Sequence, residues 1–431
     1  MTYVLRNSWA LLAGIFLLML GNGVQGTLLG VRGDIEGFSA FSMSMIMSAY
    51  FIGFLGGSQM APQMIRRVGH VRVFAALASF VSAALILYAA FPNPVIWFLL
   101  RIVVGFCFSG VYVVAESWLN DSATNETRGQ ALSAYLIVQM MGIVAAQYLL
   151  TTADPAGYNL FIIISVAVSI SFAPILLSVS PAPVFQTTKP MSLRQLYVAS
   201  PLGMVGIFLL GGIFAALFGM TAVYGTQKGM SVANISLFVA VIYLGGMLCQ
   251  FPIGWMSDRM DRRLLIIGIN LIGAAITLVA YRWADQFTVI LMAAFVIGGV
   301  ANPLYSLLLA YTNDFLDHDD MAAASGGLIF VNGIGAIAGP LIVGWMMANL
   351  GPDSFFLYIG LLLLIVAIYA IYRTFQREAP SVEDTSAYAP VFATASPVAV
   401  EVAQEVAIEM ALEEEEENSS PDDNANMPRE G

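Results

Sequence analysis

Gly254-Trp255-Met256-Ser257-Asp258-Arg259-Met260-Asp261-Arg262-Arg263 is a charged turn between two long apolar runs. A side chain charged at the centre of a bilayer costs about 2.5–3.5 kcal/mol on insertion scales. Asp258, Arg259, Asp261, Arg262 and Arg263 therefore cannot lie in hydrocarbon, and the turn belongs at a membrane face. Counting back 192 residues reaches Pro62-Gln63-Met64-Ile65-Arg66-Arg67-Val68-Gly69-His70-Val71-Arg72, a second basic turn between apolar runs. The chain repeats its own plan.

Of the 431 residues, 59% are hydrophobic and 10% charged, against about 25% charged in a soluble globule. The net charge of -11 is local: residues 378–431 hold 14 Asp and Glu against one base, Arg429. What precedes them is slightly basic. Cys107 and Cys249 fall inside apolar runs, so no disulfide framework is expected. His70 and His318 read as loop residues in no ligand cluster, and neither metal nor cofactor is expected.

A membrane span needs about 20 apolar residues. Twelve runs qualify: 8–29, 42–65, 71–91, 94–117, 129–151, 157–178, 200–224, 234–257, 263–283, 287–311, 322–349 and 353–376. The first follows Arg6 and could pass for a secretory signal, but eleven comparable runs behind it favour an uncleaved span. Phe91-Pro92-Asn93 is room only for a tight helical turn. Twelve bases (Arg6, Arg66, Arg67, Arg72, Arg128, Lys189, Arg194, Arg259, Arg262, Arg263, Arg373 and Arg377) fall on one side, against Arg32, Lys228 and Arg282 on the other. The positive-inside rule then puts both termini in the cytoplasm.

Gly254-x3-Asp258-Arg259-x2-Arg262-Arg263 resembles the loop between the second and third helices of each half in the major facilitator superfamily, over roughly the first 377 residues. Asp261 replaces the usual second glycine, and the earlier copy has Pro62 for the leading glycine and Arg66 for the aspartate. The resemblance implies an all-α membrane protein of 12 transmembrane helices in two pseudo-symmetric six-helix bundles. On that plan residues 1–179 are the first bundle, 180–199 a cytoplasmic linker and 200–377 the second bundle. Residues 378–431 are an acidic cytoplasmic tail expected to be disordered, or to form a short amphipathic helix about Glu401, Glu405, Glu409 and Glu413. Cargo sits between two such parallel repeats near the midplane, and the halves rock around it.

Polar residues inside spans are expensive and point to pathways. Arg101-Ile-Val-Val-Gly105 resembles the family's Arg-x3-Gly signature, which implies coupling or substrate contact; the alternative is that Arg101 bonds backbone carbonyls. Asn22 and Gln25 lie at similar depth and are its expected partners. Gln139 and Gln147, eight apart, share a helix face and either join helices or meet cargo, as do Asn302, Tyr305 and Asn332. Tyr50, Phe54, Phe106, Tyr112 and Tyr305 could stack on a planar cargo or simply pack, and Gly21, Gly23, Gly26, Gly245 and Gly246 suit close helix crossings.

Arg66, Arg67, Gly69, Arg72, Glu116, Arg128, Gly254, Asp258, Arg259, Arg262, Arg263, Asp317, Asp319 and Asp320 make up the expected cytoplasmic gate. Glu116, at the end of the fourth span, would bond Arg66, Arg67 or Arg128, or couple a proton. In the family, the aspartate missing from the first copy would cap the eleventh helix. The acids before that helix suggest a charge swap, Arg66, Arg67 or Arg72 pairing with Asp317, Asp319 or Asp320 while Asp258 faces Thr127 and Arg128.

The expected function is secondary transport of a small organic solute across the bacterial inner membrane by a monomer, with a coupling ion left open and no nucleic acid or catalytic step. Val113-Val114-Ala115-Glu116-Ser117-Trp118-Leu119 and Arg128-Gly129-Gln130-Ala131-Leu132-Ser133-Ala134-Tyr135 look like a bacterial branch related to riboflavin uptake carriers, which makes riboflavin the first cargo. Drug or metabolite efflux is the alternative, although the antiporters' Gly-x3-Gly-Pro pattern is replaced in the fifth span by Gly142-Ile-Val-Ala-Ala-Gln147. A membrane sensor on a carrier fold is the other.

Overall fold

The computed structural model describes residues 2–122, 125–174, 191–316, 318–376, 388, 390–391 and 400. Among the described residues thirteen helices form the body, with no strand. They are α1 (Thr2–Ile35), α2 (Ala40–Val68), α3 (His70–Ala90), α4 (Pro94–Ser122), α5 (Asn125–Leu150), α6 (Asn159–Ser171), α7 (Leu193–Ala199), α8 (Pro201–Gln227), α9 (Val232–Ser257), α10 (Arg262–Arg282), α11 (Phe287–Asn313), α12 (His318–Leu350) and α13 (Ser354–Thr374). Eleven are long and apolar enough to cross a membrane. The sixth expected span holds a described helix of 13 residues, about 20 Å long. Its end and most of the linker fall outside the described residues. The linker's one described element, α7, opens with a capping box between Ser192 and Gln195.

Helices continue past the apolar runs because their backbone bonds are satisfied internally whatever the side chains. Thus α4 reaches Ser122 rather than stopping near 117, and α12 starts at His318 rather than 322. His70 and His318 open α3 and α12 instead of lying in loops. Turns between spans are short. Asn93 accepts from the amides of Val95 (2.9 Å) and Ile96 (3.4 Å) to start α4. Gly69 alone joins α2 to α3, with φ of 83° that a Cβ would disfavour.

The duplication is written in the helix crossings. A Cβ on Gly53 of α2 would strike the carbonyl oxygen of Ile102, and one on Gly105 of α4 that of Tyr50. In the second half, Gly245 of α9 faces the Phe295 oxygen and Gly298 of α11 the Ile242 oxygen. Each residue is displaced from its mate by 192 or 193 positions. α1 crosses α5 at Gly23 and Gly142 as α8 crosses α12 at Gly211 and Gly335.

The two halves meet at mid-helix and towards the end away from the charged hairpins. Leu55 of α2 lies on Gly333 of α12, and the Ser48 hydroxyl donates to the Ile337 carbonyl at 2.6 Å. Ser44 packs on Gly344, and Val31 joins Ala222 and Ile235 in a small apolar cluster. At that end Lys228 pairs with Asp285 (3.0 Å) and Asp353 (3.2 Å). Arg32 closes on Glu36 at 2.7 Å and on the carbonyls of Pro155 and Ala156.

At the described positions of the tail, Tyr388 lies against the second half, and Val391 and Val400 are buried. The acidic run at Glu413 to Glu417, and the helix weighed for Glu401 to Glu413, lie outside the described residues.

Candidate functional site

A cavity of about 1390 Å³, part of it open to solvent, lies between the halves. Its walls come from α1, α2, α4 and α5 on one side and α8, α9, α11 and α12 on the other, the first, second, fourth and fifth spans of each half. The lining is amides and hydroxyls (Asn22, Thr27, Gln139, Gln147, Asn302, Asn332), aromatic rings (Tyr50, Phe51, Phe54, Tyr112, Phe214, Phe218, Tyr243) and one charged side chain, Arg101.

Arg101 is buried. Its Nη2 approaches the Met47 sulfur at 3.2 Å, the guanidinium stands 5.0 Å over the Tyr50 ring, and Nε has no hydrogen-bond partner among the described residues. Sulfur and a π face are poor substitutes for water or a carboxylate, so the cation keeps hydrogen-bonding capacity that its described neighbours do not use. The expected partnership with Asn22 and Gln25 is not what the structure shows. Asn22 donates to the Tyr112 hydroxyl at 3.3 Å, and both amide atoms of fully buried Gln25 lack partners among the described residues.

Six of the eight expected cargo residues line this cavity: Asn22, Arg101, Gln139, Gln147, Asn302 and Asn332. Gln25 and Tyr305 do not. On α1 the wall is the stripe Asn22, Gly23, Gly26 and Thr27, and Gln25 lies about 130° round the helix from its centre. Tyr305 is turned into the second bundle, with its hydroxyl unpartnered among the described residues. Phe106 is likewise off the wall. Two of these amides join helices from the wall: Gln147 accepts from Thr27 Oγ1 at 3.1 Å and donates to the Gly23 carbonyl at 3.4 Å, and Asn332 donates to the Ile207 carbonyl at 3.2 Å. Asn302 instead donates within its own helix, to the Gly298 carbonyl at 3.1 Å.

Thr27, Phe51, Phe214, Phe218 and Tyr243 are wall residues the sequence reading passed over. The repeat offset carries a signal for one of them, since Tyr243 lies 193 residues from Tyr50. Phe218 lies in a π-helical turn at Ala216–Met220 inside α8, which propensity does not reveal. Its ring stacks between Phe214 (5.2 Å) and Tyr243 (4.9 Å).

At the hairpin end the two copies differ. Asp258 ends α9, and Asp261 caps α10 by accepting from the Arg263 amide at 2.8 Å. Arg262 is buried and donates to Ser257 Oγ at 3.0 Å and to the Ala310 carbonyl at 3.4 Å. It also pairs with Asp314 at the end of α11 and with Asp258 at 3.5 Å. Arg263 lies 3.6 Å from Asp261, and Arg259 stacks 4.6 Å over Trp255. Burial lifts the Asp258 carboxyl above its ordinary range, against the pull of the Tyr388 amide, Arg262 and Arg259.

Among the described residues the expected charge swap is not seen. Arg66, Arg67 and Arg72 are exposed and make no ion pair among the described residues, and Asp320 is exposed. The halves touch at the other end, which leaves these faces apart. Asp258 is held by Arg262 and Tyr388. The side chains of Thr127, Arg128 and Asp319, and Asp317 altogether, lie outside the described residues. Glu116 is buried on α4 and accepts from the Tyr135 hydroxyl at 2.9 Å, while the side chain of its expected partner Arg128 lies outside the described residues.

The Major Facilitator Superfamily model matches residues 11–247 and again 206–402. An uncharacterized MFS-type transporter YcaD of Escherichia coli O45:K1 (strain S88) is 27% identical over 365 residues, 82% of this chain and 92% of its own length. The protein of that name from Escherichia fergusonii is 26% identical over 366 residues, covering 84% and 94%. Among solved structures, the nucleoside transporter NupG matches at 14% identity and a TM-score of 0.67, covering 86% of this chain and 99% of its own. A D-xylose-proton symporter matches at 14% and 0.68, covering 88% and 98%. With that match across both halves, the chain belongs to the Major Facilitator Superfamily and is a multi-pass membrane transporter, not an enzyme.

Proposed function

We propose that this transporter carries a flat, hydrogen-bonding organic solute into the bacterial cytoplasm across the inner membrane, with riboflavin as the first cargo to test. The observation that carries the reading is the shared cavity, where rings from both halves flank a single cation and a set of amides. Rings supply faces for a planar heterocycle, and amides with Arg101 supply donors for its carbonyl groups. The hairpin end, rich in arginine, is the cytoplasmic end, with both termini there and the monomer as the working unit. Uptake rather than efflux agrees with Ala146 and Gln147, which sit where the antiporter pattern would have glycine and proline, and Gln147 ties α5 to α1. Glu116, buried against Tyr135, is the carboxylate we assign to coupling if a proton drives the cycle.

Growth of a riboflavin auxotroph lacking its own importer tests this. Expression of the chain is expected to restore growth on low external riboflavin, and Arg101→Ala to abolish the rescue at equal membrane abundance. Failure of rescue together with increased efflux of hydrophobic dyes supports the efflux reading instead.

A further inference from the structure

The tail residue Tyr388 reaches the hairpin on both of its characteristic positions. Its backbone amide donates to Asp258 Oδ1 at 2.9 Å, and its ring lies where a side chain at Gly254 would be, 2.6 Å from the Cβ that glycine lacks. Its hydroxyl accepts from Gln250 Nε2 at 2.9 Å. Three residues on, Val391 is buried and clasped by Ser306 of α11, whose hydroxyl donates to the Val391 carbonyl at 3.0 Å and accepts from its amide at 2.9 Å.

The position of this contact matters. Asn302 is on the cavity wall, and Ser306 is one turn further towards the hairpin on the same side of α11. On α9, Gly246 meets Asn302, and Gln250, Gly254 and Asp258 follow at intervals of four. Tyr388 and Val391 therefore cover the downward continuation of the cavity wall. That surface has to approach the first half whenever the hairpin end closes and the opposite end, sealed here at Ser44 and Gly344, opens. The segment is tethered fourteen residues beyond Thr374, the end of α13. A tethered ligand acts at an effective concentration in the millimolar range, so a few hydrogen bonds and one ring suffice to occupy the surface.

We propose that the tail is a latch: Tyr388 and Val391 dock on Gly254, Asp258 and Ser306, hold the carrier open at the hairpin end, and must leave before the cycle can advance. The latch rests on the transporter reading but on no particular cargo.

Thiol labelling tests it without any cargo, in the full chain carrying Cys107→Ser and Cys249→Ser. Ser306→Cys reports docking, because Val391 covers it, and Ser44→Cys reports opening of the far end. Removing residues 380–431, or changing only Tyr388→Ala, is expected to raise maleimide labelling at both sites by about fivefold or more, the scale of losing one hydrogen bond. Equal Ser306→Cys labelling with and without the tail overturns docking. Faster labelling at Ser306→Cys with none gained at Ser44→Cys overturns the latch while leaving docking intact. Failure of riboflavin uptake alters neither readout, so the cargo assignment and the latch fall separately.

Discussion

The two hairpins descend from one plan and are held by different physics. The α2–α3 turn is a single glycine at positive φ, and its arginines stand in solvent without ion pairs among the described residues. The α9–α10 turn is braced through its charges: Arg262 ties the end of α9 to the end of α11 through Ser257, Ala310 and Asp314. Both halves nevertheless keep the same glycine crossings. Backbone approach constrains the duplicated scaffold, whereas polar networks are free to diverge at its edges.

The largest expected effect contrasts the hairpins directly. Arg262→Met removes the buried Arg262 pair from Asp314, whose side chain is 2% exposed, and breaking such a buried pair costs about 3–5 kcal/mol. Arg66→Met, at an exposed site, should change stability by less than about 0.5 kcal/mol. Thermal unfolding in detergent checks both, and equal shifts would break the comparison. Next come Gly53→Ala and Gly245→Ala, each placing a methyl on a carbonyl oxygen of the crossing helix. Each is expected to lose about 1–3 kcal/mol, and similar losses in the two halves sharpen the claim of a shared scaffold.

Gly69→Ala should cost about 1–3 kcal/mol from its backbone conformation alone, since no atom crowds the site. Gly268→Ala, in open space within α10, should instead gain about 0.5–1 kcal/mol. The smallest effect is a pH slope. Burial raises the Asp258 pKa, so in the window above the ordinary value of 3.8 the folded chain keeps a proton that the unfolded chain has lost. Stability then falls as pH rises through that window, and Asp258→Asn should remove its share of the slope.

Much of this was legible in the sequence for identifiable reasons. Span length and the charge of the turns follow from the cost of polar groups in hydrocarbon, and the offset of 192 exposed the duplication before any contact was known. The amides of Gln139, Gln147, Asn302 and Asn332 stood out because nothing in lipid would pair with them. What escaped was geometry finer than a helical turn. Asn22 and Gln25 are three residues apart, yet only Asn22 reaches the cavity; the π turn that presents Phe218 has no sequence mark; and Tyr388 looked like one more residue of an acidic tail. The pairing of Arg66, Arg67 or Arg72 with Asp317, Asp319 or Asp320 is not seen among the described residues, because charge complementarity says nothing about which end of a two-state carrier is shut.

The central claim is that the halves rock as rigid bodies about one cavity, so the two ends cannot be open together. Spin labels at Arg66→Cys and Arg259→Cys, exposed at the hairpin end, and in a second protein at Asp34→Cys and Asp285→Cys at the other, measure it by distance distributions. Tail removal, Tyr388→Ala or added cargo should shift population towards short separations in the first pair and long separations in the second by the same fraction. Ends that lengthen together, or a single unchanging separation at both, would contradict the account.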